Sequence, residues 1–273
     1  MATLKDISIR LKSVKNIQKI TKSMKMIAAV KYARADRDLK QARPFGTGTQ
    51  SFYKNLEIKK PETETPDRVI ICISSDRGLC GGIHSGISKK VRAMMEEKPS
   101  GQNVKLVIVG DKCRQQLQRH FPRDILFSAS EFGRLPPSFA DAARITQTLL
   151  DSGYTFEQGD ILYNRFKSVV SYDASNMPVY SKNTVNSSEK LSVYDSLDDD
   201  VIQNYLEYSL ASMIYYAMKE NSTSEHSSRM TAMDGASKNA GEMIDALTLK
   251  FNRTRQAVIT KELIEIISGA AAV

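Results

Sequence analysis

Between Leu4 and Ile27 apolar residues return every three or four positions: Leu4, Ile7, Leu11, Val14, Ile17, Ile20, Met24 and Ile27. That spacing lays one apolar stripe along a helix. Thr3 is placed to cap its start, with Asp6 three positions on in a capping-box arrangement. Beyond Ala28 the stripe thins into Ala29, Ala33 and Ala35, small residues that let another helix come close. Pro44, Gly46 and Gly48 predict a kink or an end, so about 40 residues, or about 60 Å, read as continuous helix. The far end of the chain answers it. From Asp199 to Val273 there is no proline, and Ile244, Leu247, Phe251, Thr254 and Val258 fall on one stripe. Ile259, Leu263, Ile266 and Ala270 continue that stripe after a one-residue shift. A periodic helix far beyond about 25 residues, without internal caps, reads as a coiled coil or extended rod. At about 1.5 Å per residue it would reach on the order of 100 Å, longer than any core a domain of this size can build. The two ends are therefore expected to lie side by side.

The period changes in the middle. Lys59 to Asp67, with Pro61 and Pro66, is a polar linker. Arg68 to Ser74 and Val104 to Val109 are β-branched runs of the buried-strand type, and Ile125 to Ala129 is a third strand. Helices are expected over 83–97, over 111–121 and from Ser138 to Asp151. Strand alternating with helix predicts a parallel sheet with right-handed crossovers. From Asp160 onward three short strands, 161–166, 169–172 and 177–181, are expected as antiparallel additions at the edge, then a polar loop over 183–190. The chain thus divides into an N-terminal helix (1–60), a central α/β domain (67–190) and a C-terminal helix (199–273).

Charge sharpens the picture of the first helix. Residues 1–43 hold twelve Lys or Arg against Asp6, Asp36 and Asp38, so they are +9, and the rest of the chain is −1. Three readings of this helix stay open: a mitochondrial targeting peptide, a helix lying on a membrane surface, and an ordinary solvated basic face. A nucleic-acid partner for the basic face is a further alternative. No apolar run approaches the 18 or so residues that cross a bilayer. Cys72, Cys80 and Cys113 are an odd set without metal-ligand spacing, and read as free thiols.

Candidate chemistry is thin. The turn Ser75-Asp-Arg-Gly-Leu-Cys-Gly-Gly82 sits between strand and helix, yet Gly78, Gly81 and Gly82 miss the dinucleotide spacing. Gly81 and Gly86 have Walker spacing, but Ile87 stands where a phosphate-binding lysine belongs. Cys80 precedes His84 by one helical turn without a third group, which is a weak nucleophile signal. His120 and His226 are scattered, and no metal cluster emerges. The chain reads as non-catalytic, without cofactor or metal. On the C-terminal helix Arg253, Arg255, Gln256 and Thr260 form a polar face above the apolar stripe, with Arg229 a comparable donor earlier. After Glu265 no charge follows, and an apolar end on a long rod suggests insertion into an apolar sleeve.

These stretches together resemble the gamma-subunit family of rotary F-type ATP synthases. Residues 4–28 resemble that family's opening helix, and Ser75 to Gly82 its first strand–helix turn. Arg229 to Asp234 and Asn252 to Val273 resemble its C-terminal helix, so the likeness runs end to end. It is nearest to mitochondrial members, in Ser85 after His84 and around Tyr194-Asp195, and lacks the chloroplast insertion. The resemblance implies a fold of one long antiparallel two-helix coiled coil plus a central α/β domain, its sheet mainly parallel with antiparallel edge strands. It implies a rotor shaft within a hexameric ring of alternating alpha and beta subunits, with epsilon/delta-type stalk subunits and a c-subunit ring as further partners. Location on the matrix side of the mitochondrial inner membrane follows, without direct insertion and without nucleic acid. Residue by residue, it implies that Arg255 and Gln256 contact a beta-subunit loop, with Arg229 and Thr260 nearby. Met24 and Lys25 would lie by an acidic segment of beta, and Tyr194 and Asp195 would face the c ring.

Overall fold

One set of buried positions on the first helix recurs in steps of seven, with the half-buried Ala35 between Ala28 and Ala42. Its buried members are Ile7, Val14, Thr21, Ala28, Ala42 and Thr49, with Leu56 one residue past the helix end. The computed structural model describes residues 3–58, 67–194 and 198–271. The helix, α1, runs Leu4–Asn55, and its cap is formed as the sequence suggested: the Asp6 amide donates to Thr3 Oγ1 at 3.2 Å and the Thr3 amide to Asp6 Oδ2 at 3.0 Å. A second set, Leu39, Gly46 and Tyr53, is buried three or four residues away from the first, as a coiled-coil seam requires. The expected stripe is corrected here. Ile17, Ile20 and Ile27 are exposed, while Gln18 and Lys25 are half-buried and Thr21 buried. Apolar residues occupy both sides of this helix, and only the strict seven-residue repeat separates the inner side from the outer.

Pro44 does not end α1, nor do Gly46 and Gly48. Proline removes one backbone bond at a cost of about 3 kcal/mol. Here it sits on the exposed side, and burial of Leu39, Tyr53 and Leu56 with Met213, Ile214, Tyr216 and Ala217 holds the helix on either side of it. Gly46 is required by closeness: a Cβ there would lie 2.3 Å from a ring carbon of Tyr216.

The chain forms two compact units, one drawn from Met1–Ala28 and Met230–Val273, the other Ala29–Arg229. In the second, a five-stranded sheet has the order β3-β2-β1-β4-β5. The strands are β1 (Arg68–Ile73), β2 (Val104–Val109), β3 (Ile125–Ala129), β4 (Gln158–Ser168) and β5 (Ser171–Tyr180). β1 to β4 pair in parallel, and β5 is antiparallel to β4. Two long strands therefore replace the three short ones expected. Val169 and Val170, taken as strand for their β-branched type, are the turn between them, and Val170 is 78% exposed. β4 is also no edge addition, because it pairs with β1 in the heart of the sheet.

Alternation along the strands makes two cores. Ile70, Cys72, Leu106 and Ile108 face α2 (Ile83–Glu96) and α3 (Asp111–Leu117) through Ile87, Val91 and Leu117. Val69, Ile71, Val107 and Val109 face α4 (Phe139–Asp151) and the start of α6 (Asp199–Ala271). The loop expected over 183–190 holds instead a short helix, α5 (Lys182–Asn186), capped by Ser181, and then a 3-10 turn over Glu189–Val193.

Replacing Gly46 by Ala should destabilise the full chain by about 1–3 kcal/mol, because Tyr216 must be displaced. Gly48 has open space around it, so Gly48→Ala should instead stabilise by up to about 1 kcal/mol through helix propensity. Denaturant unfolding of the two variants would show these opposite signs; equal effects would contradict the close approach at Gly46.

Candidate functional site

In the helical unit Lys25 Nζ lies 2.6 Å from Asp234 Oδ1. Gln18 packs against Gly241, its Nε2 3.1 Å from where a Cβ would stand. The two contacts are seven residues apart on each helix, backward on α1 and forward on α6, so the helices are antiparallel. Two further steps of seven bring Leu4 opposite Arg255. Beyond that register α6 has no facing helix among the described residues. Every position from 255 to 270 is exposed, Val258, Ile259, Leu263, Ile264, Ile266 and Ile267 among them.

Arg255, Gln256 and Thr260 all stand on this unaccompanied stretch. Thr260 Oγ1 donates to the Gln256 carbonyl at 2.9 Å, while the side chains of Arg255 and Gln256 have no intramolecular partner among the described residues. Met24 is half-buried, and Lys25 is engaged by Asp234, a bond that also holds the carboxyl of Asp234 below its ordinary range.

In the α/β unit the order of the sheet reverses between β1 and β4, the place where open α/β sheets seat ligands beyond their strand ends. Side chains of α6 occupy that place. Ser224 Oγ donates to the Asn164 carbonyl at 3.0 Å, and Asn164 Nδ2 donates to Asn221 Oδ1 at 2.8 Å. Ser228 Oγ donates to the Cys80 carbonyl at 2.5 Å, and Arg229 Nε to the Gly78 carbonyl at 3.2 Å. The glycine-bearing turn is thus fastened to α6, with Gly81 in the left-handed region at φ 66°. Arg229 points its guanidinium inward. Its side chain is 12% exposed and pairs with Glu225 at 2.5 Å.

Sequence reasoning placed Arg229 with Arg255 and Gln256, but they fall in different units. It missed the buried run of Glu220, Asn221, Ser224 and Glu225, whose only sequence signal is polar residues at core spacing within a long apolar helix. Tyr194 stacks edge-on against Phe52 at 5.7 Å, and Asp195 lies outside the described residues. Cys80 and His84 do not form a catalytic pair. Both donate to the Arg77 carbonyl, Sγ at 3.6 Å and Nε2 at 3.0 Å. Burial pushes the Cys80 thiol up to about 11, far from a ready thiolate. All three cysteines are free and buried. Among the described residues no group of His, Cys, Asp and Glu is placed to hold a metal ion, and no helix is long and apolar enough to cross a membrane.

The family model described as ATP synthase matches residues 3–273. The chain is 61% identical to the mitochondrial ATP synthase subunit gamma of Drosophila melanogaster, over 100% of its own length and 91% of that protein. The chain belongs to the gamma-subunit family of ATP synthase. It is 57% identical to the Rattus norvegicus ATP synthase F(1) complex subunit gamma, covering 99% of each. A solved Tetrahymena thermophila mitochondrial ATP synthase central stalk and c-ring contains a chain similar to it, with 27% identity and a TM-score of 0.66, over 80% of this chain and 99% of that one. The turn fastened to α6 is part of the frame of the α/β unit.

His226 gives the frame a pH dependence. Burial, aided by Arg229 and Lys31 and opposed by Glu225, lowers it from 6.5 to about 4. The unfolded chain takes up this proton below about pH 6.5 and the folded chain only near pH 4, so stability is full above 6.5 and falls as pH drops between those values. The loss should reach on the order of 3 kcal/mol at the acid end. His226→Gln should flatten this slope relative to the unaltered chain in guanidinium unfolding at pH 7 and pH 4.5. Parallel slopes would show that His226 is not the group responsible.

Proposed function

We infer that the chain is the central rotor shaft of a mitochondrial ATP synthase: a non-catalytic subunit that couples turning of the membrane c ring to changes at the catalytic beta subunits. The chain lies on the matrix side of the inner membrane as a peripheral subunit, with the alpha/beta ring and the c ring as partners. Besides family membership, one observation carries this reading. The helical unit ends in a stretch of α6 whose described residues are all exposed and largely apolar. Such a surface is costly in water and calls for a surrounding sleeve. The outer side of α1 makes the same demand through Ile17, Ile20 and Ile27, set among basic residues.

The mechanism follows from inequality of sides. α1 presents lysines around exposed isoleucines, whereas the end of α6 presents Arg255 and Gln256 above isoleucine and leucine. A ring of three catalytic subunits meets a different side at each position. Turning the shaft then redistributes differential binding energy among them, which shifts their nucleotide affinities in sequence. We propose that Arg255 and Gln256 contact a beta-subunit loop with Thr260 nearby, that Met24 and Lys25 lie by an acidic beta segment, and that Tyr194 and Asp195 face the c ring. The epsilon/delta-type subunits join at the α/β unit. In functional terms the segments are 1–60 and 199–273 as shaft and 67–190 as foot. Most of the basic charge of α1 is assigned to these protein partners rather than to nucleic acid.

Arg255→Ala combined with Gln256→Ala should lower turnover of the complex reconstituted with alpha and beta subunits by about threefold or more. Unfolding of the full chain should shift by no more than about 0.5 kcal/mol, because both side chains are exposed. Unchanged turnover would remove the assigned beta contact.

A further inference from the structure

A cavity of about 200 Å³ opens in the α/β unit between α1, α6 and the loop from Gly133 to Pro137. Lys31, Arg34, Arg134, Lys219 and His226 line it, and Asp38 is the one acid among its lining residues. Asp38 is already paired with Lys219, at 3.1 Å. Among the described residues no carboxylate lies within ion-pair distance of Lys31, Arg34 or Arg134. The walls therefore carry an excess of three positive charges without internal compensation. Lys219 is itself buried, which weakens the screening of its charge by water.

His226 adds a fixed donor. Arg229 Nη1 lies 3.2 Å from His226 Nδ1, and since a guanidinium only donates, Nδ1 accepts. Neutral His226 must then carry its proton on Nε2. The site thus offers cations and an N–H donor, a combination that recognises tetrahedral oxyanions. Volume narrows the choice. Pockets for larger organic ligands begin at about 300 Å³.

We propose that this cavity binds a small phosphate anion, inorganic phosphate or pyrophosphate, held by Arg34, Arg134, Lys31 and His226. The site is separate from the exposed end of α6 and from the ligand position filled by Asn221 and Ser224. The cavity lies where α1 and α6 meet the Gly133–Pro137 loop, and binding there needs no chemistry of its own.

Isothermal titration of the full chain at low salt, with phosphate in one arm and pyrophosphate in the other, tests it. At least one arm should show saturable binding of one anion per chain, weakening as salt is raised. The arm with the tighter binding identifies the occupant. Arg34→Gln with Arg134→Gln should weaken it by about tenfold or more. Both side chains are exposed, so the fold should persist, and Lys89→Gln on the exposed side of α2 should leave binding unchanged. No saturable binding in either arm, or equal binding by the double variant, overturns the proposal. Binding of an acidic peptide where both phosphates fail overturns it too, and would assign the cavity to a protein partner.

Discussion

One buried carboxylate holds the α/β unit's helices to its sheet. Glu220 is 1% exposed, and it accepts from the Phe166 amide at 2.8 Å and the Tyr216 hydroxyl at 3.0 Å, with Arg43 Nε at 3.5 Å. These donors come from β4, α6 and α1. A buried charge is tolerated only where its lone pairs are met, and removing a partner costs far more than the pair contributes. The three elements are therefore fixed at one point, and sliding any of them strands a charge in the core. Lys219 with Asp38 and Thr223 with the Ala35 carbonyl at 3.2 Å repeat the fastening along the same two helices.

From this point the rest of α6 is constrained. Its next two turns bring Asn221, Ser224 and Ser228 over the sheet where the strand order reverses, and their hydrogen bonds go to β4 and to the turn after β1. A doubly wound sheet usually leaves that position to a ligand. Here a helix of the same chain satisfies the free backbone groups instead. The glycines that mimic a phosphate loop serve closeness to a helix, which is why their spacing fits no nucleotide fingerprint.

How much of this was legible depends on which signal carried it. β2 and β3 were readable to the residue, and β1 to within one, because β-branched runs bounded by turns have few other meanings. β4 and β5 were misread, because Val169 and Val170 have strand composition but turn geometry. Pro44 was misread because proline's local cost was weighed without the burial on either side of it. The inner side of α1 was half legible. A stripe of isoleucines was visible, yet Ile17, Ile20 and Ile27 belong outside and Thr21 inside, a distinction that hydrophobicity alone obscures when both sides face protein. For the site, Arg255, Gln256 and Thr260 were proposed from family likeness, and all three stand exposed on α6. The inward turn of Arg229 depends on Glu225 and the Gly78 carbonyl, and no local pattern announces such a contact.

The seven-residue repeat of α1 has a mechanical corollary. A seam returning every 3.5 residues, on helices that prefer 3.6, makes the pair in the helical unit wind about each other left-handedly. Such a rope is not indifferent to the sense in which it is wrung. Torsion that follows its lay draws the strands together and stiffens them, and torsion against the lay eases them apart. The elastic compliance of this pair should accordingly differ between the two directions of turning.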